Sequence, residues 1–383
     1  MNFTQPIPLS LYVHYPWCVQ KCPYCDFNSH TLKSEINEDA YIDALLKQLE
    51  QTLPMIWGRP IYSIFFGGGT PSLISEAGLN RFMSHARALL GFGPEIEVTL
   101  EANPGTVDFE KFAGFYQAGI NRLSMGIQSF DDEKLKALGR IHSGKEACLA
   151  IDAAQNAGFS NFNLDLMFAL PNQSLDQALA DIDRAVSFQP PHLSHYQLTL
   201  EPNTPFYKNP PVLPEDDLAW EMQLACQTRI AEAGYNHYEV SGYAQPKRQC
   251  RHNLNYWQFG DYIGLGAGAH GKITVPPEGR IWRTQMPASP GGYIEEMNRP
   301  QPGRQQLVTD EDASFEFMLN ALRLQDGFEL SLFELRTGLP LAVIEPQLKR
   351  MQEESWATIT PEQKLTLTTQ GKHYLNDVVS LFL

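Results

Sequence analysis

Three of the chain's six cysteines, Cys18, Cys22 and Cys25, fall within eight positions of the stretch YPWCVQKCPYCDFNSH. Thiolates at C-x3-C-x2-C spacing suit a zinc ion or an iron–sulfur cluster. A structural zinc wants a fourth ligand, which His14 or His30 could supply, yet such sites usually pair two short cysteine hooks and no second hook follows. Three thiolates on one loop fit a different design, a [4Fe–4S] cluster with three irons held by protein and one left open. A small molecule carrying an amine and a carboxylate could chelate the open iron. Phe27 stands two positions after Cys25, where a fourth thiolate would extend the series. Cys148 and Cys226 lie in helical patterns and are read as buried small hydrophobes. Cys250 sits two residues before a histidine.

The elements that must position these residues alternate strand and helix. LSLYVHY (9–15), IYSIFF (61–66), EIEVTLEANP (95–104), NRLSMGIQS (121–129), FNLDLMFALP (162–171) and HLSHYQLTLEP (192–202) read as strands. Helical periodicity covers 38–53 with Asn37 as its cap, then 76–91, 107–119, 131–158 with a break near 139–143, 175–188 and 215–234. Alternation of this kind argues for a parallel sheet, apolar on both faces. Six units predict an α/β fold of the partial (β/α)6 TIM-like barrel type, with an open doubly wound sheet as the alternative. The glycine-rich and polar residues GGGTP, EANP and GIQS fall at the C-terminal strand ends, the edge where chemistry sits in either architecture. The barrel is expected over residues 1–285. From 286 to 383 a Pro/Gly-rich connection leads to helix, helix, a short strand pair (356–368) and a final helix (371–383), a succession like a winged-helix module.

The chain of 383 residues is 43% hydrophobic and 19% charged, ordinary values for a globular protein. Its 29 basic against 44 acidic side chains give a net charge of −15, which disfavours nucleic acid as a partner. The N-terminus does not read as a signal peptide and no apolar run is long enough to span a bilayer, so a cytoplasmic protein with at most peripheral membrane contact through a partner is expected. Clustered rather than framework cysteines agree with reduced thiols.

The cysteine loop after the first strand, with Tyr24 before Cys25, resembles that of the radical S-adenosylmethionine (SAM) superfamily. YVHYPWC, GGGTPS, EANPGT, QSF, LGRIH, NLDLM and HNLNYW are similar to the branch that holds oxygen-independent coproporphyrinogen III dehydrogenase and the HemW haem chaperones. The similarity runs through nearly the whole chain. It implies a [4Fe–4S] cluster on Cys18, Cys22 and Cys25, and SAM contacts at Tyr12, Tyr24, Gly68, Gly69, Thr70, Glu101, Gln128, Arg140 and Asp165. In that implied set Glu101 accepts from the amino group, Gln128 and Asp165 meet ribose hydroxyls and Arg140 meets the carboxylate. Chemistry agrees: glycines at a strand end let backbone approach a ligand, and an unpartnered carboxylate in a buried strand is costly, so Glu101 and Asp165 want a ligand or ion unless they are merely solvated loop acids. Arg140 could equally be an exposed helix end.

Two functions are compatible with the resemblance: radical oxidative decarboxylation of coproporphyrinogen III, or a haem chaperone that carries haem to an acceptor protein, which the resemblance implies is a respiratory enzyme. Phe27 in place of a fourth cysteine, and only 17 residues ahead of Cys18, depart from the dehydrogenase pattern and match the chaperone. Phe27 is expected to pack beneath the cluster. In HNLNYW the resemblance implies haem contact, with His252 as an axial nitrogen and Tyr256 and Trp257 as flat surfaces; Cys250 and His270 are further candidates. The alternative for His252 is a polar histidine beside a core aromatic pair.

Overall fold

The six strand-like runs do become six parallel strands, paired in sequence order: β1 (Leu9–Tyr15), β2 (Ile61–Gly68), β3 (Phe92–Ala102), β4 (Arg122–Gln128), β5 (Phe162–Phe168) and β6 (His192–Gln197). The structure, a computed structural model, describes residues 1–33, 35–56, 58–105 and 110–383. The first residues of the helix expected at 107–119 lie outside the described residues; Lys111–Gln117 is helical. The other crossover helices follow local signals. Asn37 accepts from the Ala40 amide ahead of helix Glu38–Ile56, and Ser143 and Ser174 build capping boxes with Glu146 and Gln177. The expected break falls between helices Asp132–Ala137 and Gly144–Asn156, with Gly139 at φ 70°.

The sheet does not close. Beyond β6 it continues through antiparallel strands Gly242–Ala244 and Asn236–Glu239. Beyond β1 it gains parallel strand Asp261–Leu265 and then the antiparallel run His270–Val275, Arg280–Gln285 and Arg304–Leu307. The result is a partial TIM-like barrel with a broad antiparallel flank. The flank crosses residue 285: Arg304–Leu307 pairs with Arg280–Gln285, and helix Pro290–Glu296 lies inside the segment read as a connection.

Asp261 locks the flank to the barrel. Its fully buried carboxylate accepts from Arg59 (2.8 Å), Lys272 (2.9 Å), and the amide and hydroxyl of Thr274 (2.8 Å each). The C-terminal module has its own core around Phe317, which meets Phe259, Phe328 and Phe333 edge-on at 5.9, 5.3 and 5.3 Å. Helices Asp310–Ala321, Ser331–Thr337 and Glu345–Glu353 pack with strands Phe328–Glu329, Ala357–Ile359 and Lys364–Leu367 in winged-helix order. The expected final helix is two short ones, Thr369–His373 and Leu375–Ser380, separated at Tyr374. Cys226 is buried as read. Cys148 is only half-buried: it sits on the helix face towards Arg184, whose guanidinium lies 3.2 Å from its sulfur.

Candidate functional site

The C-terminal ends of β2 to β6 and the cysteine loop after β1 surround a cavity of about 570 Å³ that opens to solvent. All three clustered cysteines line it, as does every residue assigned to SAM except Tyr12. The loop that carries the thiols is pinned from both sides. The Thr70 amide donates to the Trp17 carbonyl (2.7 Å), the His30 amide to the Pro16 carbonyl (2.7 Å), and the Asn28 side chain to the Ala267 and Ala288 carbonyls (3.0 and 2.9 Å). Cys18 is buried; Cys22 and Cys25 are half-buried, in a turn closed by the Cys25 amide on the Cys22 carbonyl (3.2 Å). Burial pushes the Cys18 and Cys25 thiols up. Bound metal would have to offset that cost, as it does when it takes thiolates.

Neither histidine is placed to complete a zinc site. His14 donates from Nε2 to the Asn28 carbonyl (2.8 Å), which leaves Nδ1 to accept from the Tyr12 hydroxyl (2.9 Å). His30 turns its Nε2 to the Ala288 carbonyl at 3.2 Å. Among the described residues no three His, Cys, Asp or Glu side chains converge on one ion position. A cubane cluster spreads its irons apart, so thiols that ring a cavity suit it better than they suit a single ion.

The walls carry charge and bare backbone of the kind that SAM would need. Gly68 has φ 111°, and a Cβ there would come within 2.5 Å of the His14 ring; at Gly69 a Cβ would lie 2.6 Å from the Trp17 carbonyl. Only bare backbone fits between the cysteine loop and β2. Glu101 accepts from the Gly68 amide (3.3 Å), and burial together with the nearby Asp165 carboxylate pushes its carboxyl up to about 8. Burial likewise raises Asp165, against hydrogen bonds from Asn163 (2.9 Å) and Ser124 (3.1 Å). Two acids strained in this way favour a cationic ligand. Arg140 is no exposed helix end: it donates to the Gly126 carbonyl (2.6 Å), lies 3.8 Å from the Cys22 sulfur, and keeps a buried Nε without a partner, a donor free for a carboxylate. Gln128 holds φ 68° at the end of β4, costly for a residue with a side chain, and accepts from Tyr196 (3.0 Å).

Several positions differ from expectation. Tyr12 stands behind the lining, its ring 3.0 Å from where a Gly67 Cβ would sit, and braces His14. Phe27 does not pack inside: its ring is 58% exposed at the cavity's edge, and its carbonyl accepts from the Lys21 ammonium (2.9 Å). Tyr24 packs against Phe206 at the far wall. Sequence reading missed Ser194 and Tyr196 on that wall. The register that pairs Asp165 with Ser194 and Met167 with Tyr196 puts them on the acid's face, and period-two counting along HLSHYQ was the available signal.

The candidate haem residues do not line this cavity. His252 is 2% exposed and both ring nitrogens are engaged, Nδ1 with Ser63 (3.0 Å) and Nε2 with Tyr256 (3.1 Å), while its ring stacks on Phe65. Burial, with Arg122 nearby, pushes its pKa down to about 3. Glu97 caps helix Arg251–Trp257 through the amides of Arg251 and His252. Trp257 lies under the Arg323 guanidinium at 4.2 Å. Cys250 is buried beside Glu97 (3.6 Å), and burial pushes its thiol up to about 12. His270 is exposed, in a smaller polar cavity of about 330 Å³ with Arg283 and Arg304.

Residues 12–185 match the radical SAM superfamily and residues 308–372 the HemN C-terminal domain. The chain is 48% identical to the heme chaperone HemW of Escherichia coli and 46% identical to that of Haemophilus influenzae, each alignment covering 98% of both chains. The heme chaperone HemW of Bacillus subtilis is 34% identical, over 98% of this chain and 99% of that one. Among solved structures, coproporphyrinogen III oxidase (HemN) from Escherichia coli superposes with a TM-score of 0.82 at 21% identity, over 98% of this chain and 90% of the other, a likeness of fold.

Proposed function

Because the chain belongs to the radical SAM superfamily and, within it, to the family of HemW heme chaperones, we propose that it binds a [4Fe–4S] cluster, SAM and haem and passes the haem to an acceptor protein in the cytoplasm or at the membrane surface. The observation that supports the cofactor half is the convergence of three cysteines and eight SAM candidates on one cavity. Cys18, Cys22 and Cys25 would hold the cluster, whose open iron offers a site for an amine and a carboxylate. Gly68, Gly69 and Thr70 present backbone and hydroxyl to the ligand. Glu101 holds a cationic amine, Arg140 a carboxylate, and Gln128 and Asp165 the ribose hydroxyls. Tyr12 acts one layer back, on His14 and Gly67. We draw the division between barrel and C-terminal module after Leu307, where the large sheet ends, rather than at 285.

For haem, family membership is the support. His252 can offer Nε2 to iron only by releasing Tyr256, so contact through His252, Tyr256 and Trp257 requires helix Arg251–Trp257 to shift. Among the described residues no helix is long and apolar enough to cross a membrane, so an acceptor in the membrane would be met from its surface.

One experiment separates chaperone from dehydrogenase. The anaerobically reconstituted protein is given SAM, a low-potential reductant and coproporphyrinogen III, and in parallel is loaded with haemin and mixed with apo-acceptor. Haem transfer without protoporphyrinogen is expected. Multiple turnovers to protoporphyrinogen would overturn the chaperone reading. A haemin titration of His252→Ala with an unchanged Soret band and affinity would remove His252 as a ligand.

A further inference from the structure

Behind Asp165 the barrel interior carries a line of buried polar side chains joined by hydrogen bonds. Asn163, two residues earlier on β5 and on the same face, is 2% exposed. Its Nδ2, which can only donate, faces Asp165 Oδ1 (2.9 Å) and Ser124 Oγ (2.9 Å), and Ser124 in turn donates to Asp165 Oδ2 (3.1 Å). Its Oδ1 therefore accepts from Ser194 Oγ (3.1 Å) and from His192 Nδ1 (2.7 Å). That fixes the tautomer of His192: Nδ1 carries the hydrogen, and Nε2 accepts from the Tyr238 hydroxyl at 2.8 Å. The Tyr238 oxygen accepts from the Cys250 amide (3.4 Å). His192 is 1% exposed, and burial, helped by Arg122, keeps it neutral.

The direction of this chain matters more than its members. An Asn amide can be seated two ways. Turned over, Asn163 would present Oδ1 to a carboxylate and Nδ2 to an N–H, two repulsive contacts in a water-poor interior where each is costly. With the Tyr238 hydroxyl donating to Nε2, neutral His192 carries its hydrogen on Nδ1, so the Asp165 carboxylate at one end of the amide and the imidazole at the other favour the same seating.

We propose that His192, held by Tyr238, is a positioning residue for the SAM site: by orienting the Asn163 amide it keeps the Asp165 carboxyl aimed at the ribose hydroxyls. The proposal rests on the reading of Asp165 as a SAM ligand. It gives the Tyr238–Cys250 end of the network a purpose that neither the cluster nor haem supplies. The same strand bears the C-terminal module, since the Gln325 amide donates to the Tyr238 carbonyl (3.0 Å) and Arg323 pairs with Glu239 (3.0 Å).

The test is a double-mutant cycle on SAM affinity, measured by equilibrium dialysis with the full, cluster-loaded chain. His192→Leu is expected to weaken SAM by roughly tenfold. His192→Gln, which can still donate to Asn163, is expected to stay within about twofold. In an Asp165→Asn background His192→Leu should add nothing, because the amide then has no carboxylate to serve. Cluster absorbance and thermal midpoint report folding, and Tyr238→Phe replaces His192→Leu in the cycle if the latter does not fold. Equal weakening in both backgrounds, or no weakening while Asp165→Asn is impaired, overturns the positioning role alone. An Asp165→Asn protein that binds SAM as wild type does removes the ligand reading of Asp165 and the positioning role with it.

Discussion

Gly68 is the residue whose replacement should be least tolerated for its size. Its φ of 111° is strained for any side chain, and the Cβ of Gly68→Ala would strike the His14 ring that anchors Asn28 and the cysteine loop. We expect a stability loss of about 1–3 kcal/mol in urea unfolding, together with poor retention of iron after reconstitution. Glu101 yields a prediction in pH. Its carboxyl is raised to about 8 by burial and by Asp165, so between the ordinary carboxylate range and that value the folded chain keeps a proton the unfolded chain has lost. Stability must then fall as pH rises through this window, by up to about 1.4 kcal/mol per unit for one full proton and by less because Glu101 faces an open cavity. If Glu101 holds the cationic amine as proposed, SAM should relieve that cost. Its thermal-shift gain should therefore grow from pH 6 to pH 8, and Glu101→Gln should flatten the trend; an equal trend in the variant would assign it elsewhere.

At the scale of elements, Asp261 joins the antiparallel flank to β1. Burial alone would raise its carboxyl, but Lys272 and Arg59 outweigh burial and hold it below the usual range. Its contribution is therefore present at neutral pH and lost as pH falls through the lowered value. Removing the carboxylate leaves two buried cations, so Asp261→Ala should cost about 3–5 kcal/mol in urea and shed part of the wild type's acid sensitivity. The flank itself was hard to read beforehand. The six parallel strands carried long apolar runs between helices and were legible in number and order, with ends that fall from zero to five residues from those read. Strands His270–Val275 to Arg304–Leu307 are short and partly polar, and pairing with one another decides them rather than local pattern. The site divides in the same way. Cysteine spacing and glycines at a strand end are local signals. The exposure of Phe27, the withdrawal of Tyr12 behind Gly67 and the enclosure of His252 by Ser63, Phe65 and Tyr256 depend on neighbours distant in sequence.

At the scale of the molecule, the C-terminal module's core takes in Phe259 and Ile281 from the larger unit, and polar ties add to that apolar contact: Arg323 with Glu239, Arg336 with the Gln258 carbonyl (3.1 Å) and the Asn2 amide with the Gly338 carbonyl (2.6 Å). Arg323→Ala loses both its ion pair with a nearly buried Glu239 and its stack on Trp257. We expect a loss of about 1–3 kcal/mol and earlier proteolysis in 308–383 than in the barrel. The proposed cluster would also give the whole molecule a history with air, written at the turn Cys22–Cys25. Two half-buried thiols stand two residues apart in a tight turn while Cys18 stays covered. If these cysteines hold a cluster as proposed, its loss in air would leave Cys22 and Cys25 as the better exposed thiols, and we expect them to close into an intrachain disulfide. Loss of the cofactor would then be recorded as a covalent bond, and a sample handled aerobically should accept iron and sulfide again only after a dithiol has erased that record.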